Sequence, residues 1–550
     1  MIDRRRFPRS LGHESLVAAA VGAMLAVILT WPLAARIDHV GVRGRDHAFK
    51  VWELGWMGHA LRTRPLDLYD SNAFWPLDNS LAFGDAMVGY APLGALVDGP
   101  TATLTLYNLL FLGSYVLAFA GAYLLARELG VGPPAAAVAG ATFAFAPFRL
   151  AQASHLHVLA SGGIPLTLFL LTRGYRSARP GLVVAGWLVA AWQVTLGFTL
   201  GLQLLYLLAL LACLAGVVWL RRGRPRAPQR LAAATLIGAG VLLVVVAFQA
   251  RPILAVADAY PDARRSAFEI SSLSPVPESL VAAPRDSLVW GHATERFREG
   301  LRSQAEQILF PGVAAVVLAV LGATAPGFSR RLRLGLVAGT AVAAALALGF
   351  HISVGRLSYL FPYRWLYELA PGWNGVRTPG RVWTLVELGL ALLAALGVQR
   401  IARGLRSRRS GLAVCCLAFA AVLVEGAGAP TYADLRAPPR GQRALAGPQL
   451  HLPVPEYDSL YQYWSTLGYP ELVNGYVGFR IPQLQRIYAL ARRFPDPKSV
   501  SAYRHRGIRY VVFHPGLAAD TFWARVARRP LPPGVARERR AGVVVFTLRR

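Results

Sequence analysis

Eleven predominantly apolar runs, with arginine clusters on every second connection between them, limit what this chain can fold into. They lie near 15–35, 101–126, 133–148, 158–172, 181–196, 198–220, 231–250, 306–325, 334–350, 382–400 and 411–428. One bilayer crossing takes about 20 apolar helical residues, and fewer where neighbouring helices help. The prediction is an all-α polytopic membrane protein of about eleven transmembrane helices. A mean hydropathy of +0.41 with 16% charged residues lies outside ordinary soluble composition. The net charge of +29 first suggests nucleic acid. The arginines, however, are dispersed between apolar runs and form no contiguous contacting surface, so nucleic-acid binding is excluded. Cys213, Cys415 and Cys416 fall inside apolar runs and read as buried hydrophobes, without a disulfide framework.

Orientation follows from arginine placement, because cytoplasmic connections carry the positive excess. With the N-terminus inside, the cytoplasmic groups are Arg127; Arg173, Arg176 and Arg179; Arg221, Arg222, Arg224, Arg226 and Arg230; Arg330, Arg331 and Arg333; and Arg400, Arg403, Arg406, Arg408 and Arg409. The alternate connections, 36–100, 251–305, 351–381 and everything after 428, are longer and mixed in charge. Arg4, Arg5, Arg6 and Arg9 before the first run resemble a signal peptide. That run exceeds a typical signal core, so an uncleaved anchor is expected. The expected domains are a polytopic part, 1–428, with a large first outer loop, 36–100, and a small extracytoplasmic α/β domain, 429–550. The latter has β-like runs at Gln449–Val454, Ile508–Phe513 and Val543–Leu548 and helical spacing over Pro482–Phe494. The protein is expected to be integral to the bacterial cytoplasmic membrane, with its C-terminal domain outside.

The first outer loop carries most of the chemistry. Gly44-Arg45-Asp46-His47 precedes Phe49, Trp52, Trp56 and Ala60 at helical spacing, which predicts an interfacial helix with its aromatic side toward lipid. Asp46 stands at its start. It reads equally as a helix cap and as a catalytic carboxylate. Asp85, in Leu81-Ala82-Phe83-Gly84-Asp85, is a second acidic candidate or a turn residue. At the outer end of the third run, Arg149, Gln152, His155 and His157 place polar groups close to hydrocarbon. Arg149 and His155 suit a phosphate, or alternatively a headgroup-snorkelling arginine and a satisfied interfacial histidine. His155 and His157 have no visible third ligand, so no metal site is predicted there. Arg377 and Arg381, after Pro371-Gly372-Trp373, form a phosphate clamp or stand as interface arginines, and Glu306 favours a helix N-terminus. No phosphate-binding loop, dinucleotide fingerprint, zinc motif or nucleophile elbow occurs.

The pattern Asp46…Trp52…Trp56…His59 resembles bacterial membrane glycosyltransferases of the GT-C superfold, which include the protein mannosyltransferases, the aminoarabinose transferase and RgtA-like enzymes. The resemblance extends to Phe74-Trp75-Pro76, Leu81-Ala82-Phe83, Arg149…Gln152…His155-Leu156, Leu309-Phe310-Pro311-Gly312 and Pro371-Gly372…Arg377…Pro379…Arg381. In the tail, Ser465-Thr466…Leu472-Val473-Asn474-Gly475-Tyr476…Gly478-Phe479 is similar to a bacterial subgroup grouped loosely with YfhO-like proteins. The resemblance implies Asp46 as catalytic carboxylate. Relatives often have a second acid beside it. Here His47 takes that place, and the next acid is Glu53.

The resemblance also implies a sugar donor joined to a polyprenyl phosphate, held in the membrane by about 0.8 kcal/mol per buried methylene. An acid would act as general base on an acceptor hydroxyl of a glycan, lipid or protein, worth roughly 10²–10⁴ in rate. Cationic groups would stabilise the departing phosphate, with Arg149, His155, Arg377 and Arg381 as candidates and Asp85 and His59 as further binding residues. No cofactor is predicted, and the need for a divalent metal stays open. The alternatives are a transporter or flippase of lipid-linked saccharide and a non-catalytic envelope-assembly protein. In the tail, Tyr457, Tyr461, Tyr463 and Trp464 either stack on sugar or pack a small core.

Overall fold

The computed structural model describes residues 12–223, 228–260, 265–350, 362–442, 445–479, 481–519 and 521–549; Arg4, Arg5, Arg6, Arg9, Arg224 and Arg226 lie outside them. The chain divides into two compact units. The first comprises Met1–Ala35, Leu110–Gln249 and Arg264–Thr431, and the second Arg36–Leu109, Ala250–Ala263 and Tyr432–Arg550. The first excursion thus belongs to the same unit as the tail.

Each apolar run contains a helix, and eight helices among the described residues have the length and hydropathy to cross a bilayer. Three expected spans fall short of that measure. Pro180–Val194 and Val313–Ala323 have 15 and 11 residues. Arg330–Ala347 opens with Arg330, Arg331 and Arg333, whose charge opposes burial of its first turn in lipid. In the first unit, the helical segment Pro379–Gly404 is the axis. Its apolar window is 89% buried, against 17% for Gln229–Ala259 and Arg408–Gly426. The outer faces of the latter two present Leu236, Leu243 and Leu417, each more than two-thirds exposed, an arrangement suited to hydrocarbon. Helix Val313–Ala323 approaches the axis through Gly322 and Gly397. A Cβ at either position would overlap a backbone carbonyl of the facing helix, that of Leu393 or Leu318.

Polar contacts sort the helix ends of this unit. Arg127 binds Glu14 through Nε and Nη2 at 2.6 and 3.0 Å, and Arg173 binds Glu128 at 2.9 Å. Gln399 accepts from Gly132 N at 2.6 Å, and Arg400 donates to Thr324 at 2.7 Å. The basic connections therefore meet at one end, as the arginine alternation requires. The opposite ends gather Arg149, Ser161, Glu306 and Arg381.

The second unit is built on a four-stranded sheet and a strand pair. Strand β1 (Val40–Val42) pairs antiparallel with β2 (Tyr432–Asp434). Strands β3 (Gln449–Leu452), β4 (Tyr510–Phe513), β5 (Val535–Arg540) and β6 (Val543–Leu548) are arranged β3-β4-β6-β5, with β3 parallel to β4 and the other pairs antiparallel. β4 and β6 are buried on both faces, which is why they read as continuous apolar runs. The small α/β fold expected of the tail is present, with its helix at Pro482–Ala491.

Candidate functional site

Helix Arg45–Thr63 begins after Gly44, whose φ of 148° lies in a region that side chains disfavour. Gly44, rather than Asp46, is the N-cap. Asp46 lies in the first turn, half-buried, where a carboxylate complements the helix dipole. Its Oδ1 accepts a hydrogen bond from Tyr476 Oη at 3.2 Å. His47 is buried edge-on against Tyr107 with its ring over Gly41, and burial pushes its imidazole down to about 3. It therefore stays neutral and gives Asp46 no second charge.

The aromatic stripe does not face lipid. Phe49, Trp52, Trp56 and Ala60 are all buried within the second unit. Trp52 Nε1 donates to Asn72 Oδ1 at 2.9 Å, Tyr469 meets Trp56 edge-on at 5.6 Å, and Tyr476 meets Phe49 at 5.7 Å. The same spacing serves an interface or a protein core, and here helix Asp458–Ser465 and the 72–75 segment cover it. Glu53 is equally enclosed. Lys50 Nζ donates to its two oxygens at 3.1 and 2.9 Å and to Asp85 O, while Met87 N donates to Glu53 Oε1. Burial pushes the Glu53 carboxyl up against the pull of Lys50, with Asp85 adding to the rise. This acid is structural, and half-buried Asp85 sits in the turn that the pair organises. His59 lies tilted against Tyr469 with ring centroids 4.4 Å apart, and burial together with Arg62 and Arg64 lowers its imidazole.

The tail motif carries this region. Phe74, at φ 64°, donates its N–H to Asn474 O, and Trp75 N donates to Leu472 O. The Asn474 side chain bonds His451 on both backbone groups and donates to Asp458 Oδ1 at 2.9 Å. Tyr488 donates to Asp458 Oδ2 at 2.7 Å. Burial pushes the Asp458 carboxyl up to about 7, against the hydrogen bonds that pull it down. Tyr461, Tyr463 and Trp464 are buried, and Tyr461 and Trp464 pack on His514 at 5.0 and 5.1 Å. These rings form a core and are covered from sugar.

In the first unit, Arg149 is 2% exposed. Its Nη1 donates to Ser161 Oγ at 2.6 Å and its Nη2 to Leu159 O at 2.8 Å, with the guanidinium 5.5 Å from the Tyr115 ring centroid. Its Nε has no partner among the described residues. It borders a crevice lined by Thr30, Phe111, Tyr115, Phe145 and Leu150. Gln152 Oε1 pairs with His155 Nδ1 at 3.0 Å, and Gln152 Nε2 donates to Ala305 O. Glu306 takes a bidentate pair from Arg381, at 2.6 and 3.1 Å, and stands 3.9 Å from His155 Nε2. Arg381, His155 and Arg377 all attract the Glu306 carboxylate. Gly372, at φ 86°, turns the chain so that Trp373 and Val376 are buried ahead of Arg381. His155, Arg381 and Glu306 are thus one ion cluster with half-buried Arg377 in Coulombic reach. Glu387 was overlooked in the sequence. It is buried one turn into helix Trp383–Gly404, accepts from Trp383 Nε1 at 3.1 Å and attracts Arg149. A lone acid inside an apolar run was the available signal.

No family model and no curated protein matches the chain. Solved structures do. The arabinofuranosyltransferase AftD from Mycobacteria is similar over 99% of this chain and 42% of its own, at 16% identity and a TM-score of 0.52. A second state of it gives 98%, 42%, 16% and 0.50. The Archaeoglobus fulgidus oligosaccharyltransferase in the apo form gives 91%, 69%, 14% and 0.47. The chain therefore shares the fold of the arabinofuranosyltransferase over nearly its whole length. It spans under half the length of the arabinofuranosyltransferase.

Proposed function

We propose that the protein is a membrane glycosyltransferase that moves a sugar from a polyprenyl-phosphate donor to an envelope glycan, lipid or protein acceptor outside the cytoplasm. The observation that carries this reading is Asp46, a half-buried carboxylate at a helix start, held by a tail hydroxyl, in a chain that shares the arabinofuranosyltransferase fold. The structure to which it is similar at a TM-score of 0.52 is named an arabinofuranosyltransferase, which supports sugar transfer. The acceptor hydroxyl gives its proton to Asp46 as its oxygen bonds the anomeric carbon. The bond from that carbon to the phosphate oxygen breaks, and the electron pair leaves on polyprenyl phosphate, with inversion at the carbon. Arg149, His155, Arg377 and Arg381, in the first unit, are proposed as phosphate-binding residues, with Asp85 and His59 proposed as further binding residues.

The test uses purified chain in nanodiscs with decaprenyl-phosphate-linked arabinofuranose, glucose and mannose as probes, scored by sugar transfer and release of decaprenyl phosphate. The wild type is expected to turn over at least one probe, and Asp46→Asn to lose about 10² or more of that rate. Undiminished turnover in Asp46→Asn overturns the reading, as does passage of intact donor across the bilayer without cleavage.

A further inference from the structure

We propose that Tyr476, in the tail, is a residue that positions Asp46; this rests on Asp46 being the base. Its phenol donates to Asp46 Oδ1, and its ring packs edge-on against Phe49, one turn further along the same helix. The hydroxyl and the ring thus grip one face of helix Arg45–Thr63 at two points. A base must be held close to the orientation in which it meets its proton, because small misplacements cost large factors in rate.

Tyr476 is fixed in its turn by buried polar side chains. Its backbone N–H donates to Gln462 Oε1 at 3.0 Å, and Gln462 is fully buried on helix Asp458–Ser465. Two residues before it, the Asn474 side chain ties the segment to β3 through both backbone groups of His451. The same amide donates to Asp458, which Tyr488 holds from the other side. Between them, Gly475 leaves the space that the Phe74 ring fills, since a Cβ there would overlap that ring. Four side chains of the tail, Gln462, Asn474, Asp458 and Tyr488, therefore serve the placement of one phenol. The tail accordingly acts as part of the catalytic machinery, in addition to any contact it makes with acceptor.

Tyr476→Phe keeps the ring on Phe49 and removes only the hydroxyl, so the fold is retained. Gln462→Leu removes the acceptor for Tyr476 N–H and leaves the phenol intact. With the donor probes above, Tyr476→Phe is expected to lower kcat about tenfold with KM little changed, and Gln462→Leu to do so to a smaller extent. Carbodiimide labelling of Asp46, read by mass spectrometry against exposed Asp67, gives a measure that needs no turnover. Labelling of Asp46 is expected to rise in Tyr476→Phe at an unchanged melting temperature. Unchanged labelling, or unchanged kcat in a folded Tyr476→Phe, overturns the proposal. A wild type that turns over no probe defeats the transferase reading instead, and labelling still decides whether Tyr476 holds Asp46.

Discussion

At the scale of single residues, the second unit holds several ionisable groups in states that water would not favour. Burial keeps His451 neutral down to about 3, burial with His451 beside it holds His514 well below its usual value, and burial raises Asp458 to about 7. In the unfolded chain Asp458 ionises near 4, so between about pH 4 and 7 the folded state binds the extra proton and its contribution to stability falls as pH rises. The histidines act in the opposite sense, because the unfolded state takes their protons below 6.5. Comparing Asp458→Asn with the wild type isolates the carboxyl. The melting temperature of the variant relative to the wild type is expected to climb steadily from pH 4 to 7. A pH-independent difference would show that Asp458 is ionised throughout the range. Asp46 was legible in the sequence from its place just after the first run and before an amphipathic stretch. Its partner was not, since Tyr476 lies 430 residues away and only tertiary folding joins them. Arg381 and Glu306 were each read alone, although their bidentate pairing leaves neither charge uncompensated.

Among the elements, the apolar runs located the long helices of the first unit but not Ala267–Leu273 or Pro362–Leu369, and the limits of hydrophobic pattern show at two further places. The stripe of Phe49, Trp52 and Trp56 has the spacing of a membrane-surface helix and is instead the core of the second unit. Hydrophobic period reports that a face is covered and is silent about what covers it. Strand β5 passed unread because Arg537, Glu538, Arg539 and Arg540 make it polar, as befits an edge strand that must resist pairing with other chains. Gly322 and Gly397 carry a prediction at this scale. Replacing Gly397 with leucine places a side chain where the Leu318 carbonyl of the facing helix lies. The variant is expected to lose about 1–3 kcal/mol of stability, read as a lower melting temperature in nanodiscs, whereas leucine at Gly216, which faces open space, changes little. Equal melting of the two variants would mean that the helices tolerate separation.

For the whole molecule, the arginine alternation predicted which helix ends lie together, and the Glu14–Arg127, Glu128–Arg173 and Gln399–Gly132 contacts join those ends in the first unit. The sequence left unread that the first excursion folds with the tail, because the hydrogen bonds from Asn72, Phe74 and Trp75 to residues 470–474 have no periodic signature. The proposed transfer depends above all on where that excursion lies. In a chain whose native cysteines are replaced, Asp67→Cys in the excursion and Arg406→Cys in a basic connection can each be challenged with a membrane-impermeant maleimide in intact spheroplasts. Labelling at position 67 and protection at 406 is the expected result. Protection at 67 with labelling at 406 would put Asp46 on the cytoplasmic side and contradict the account.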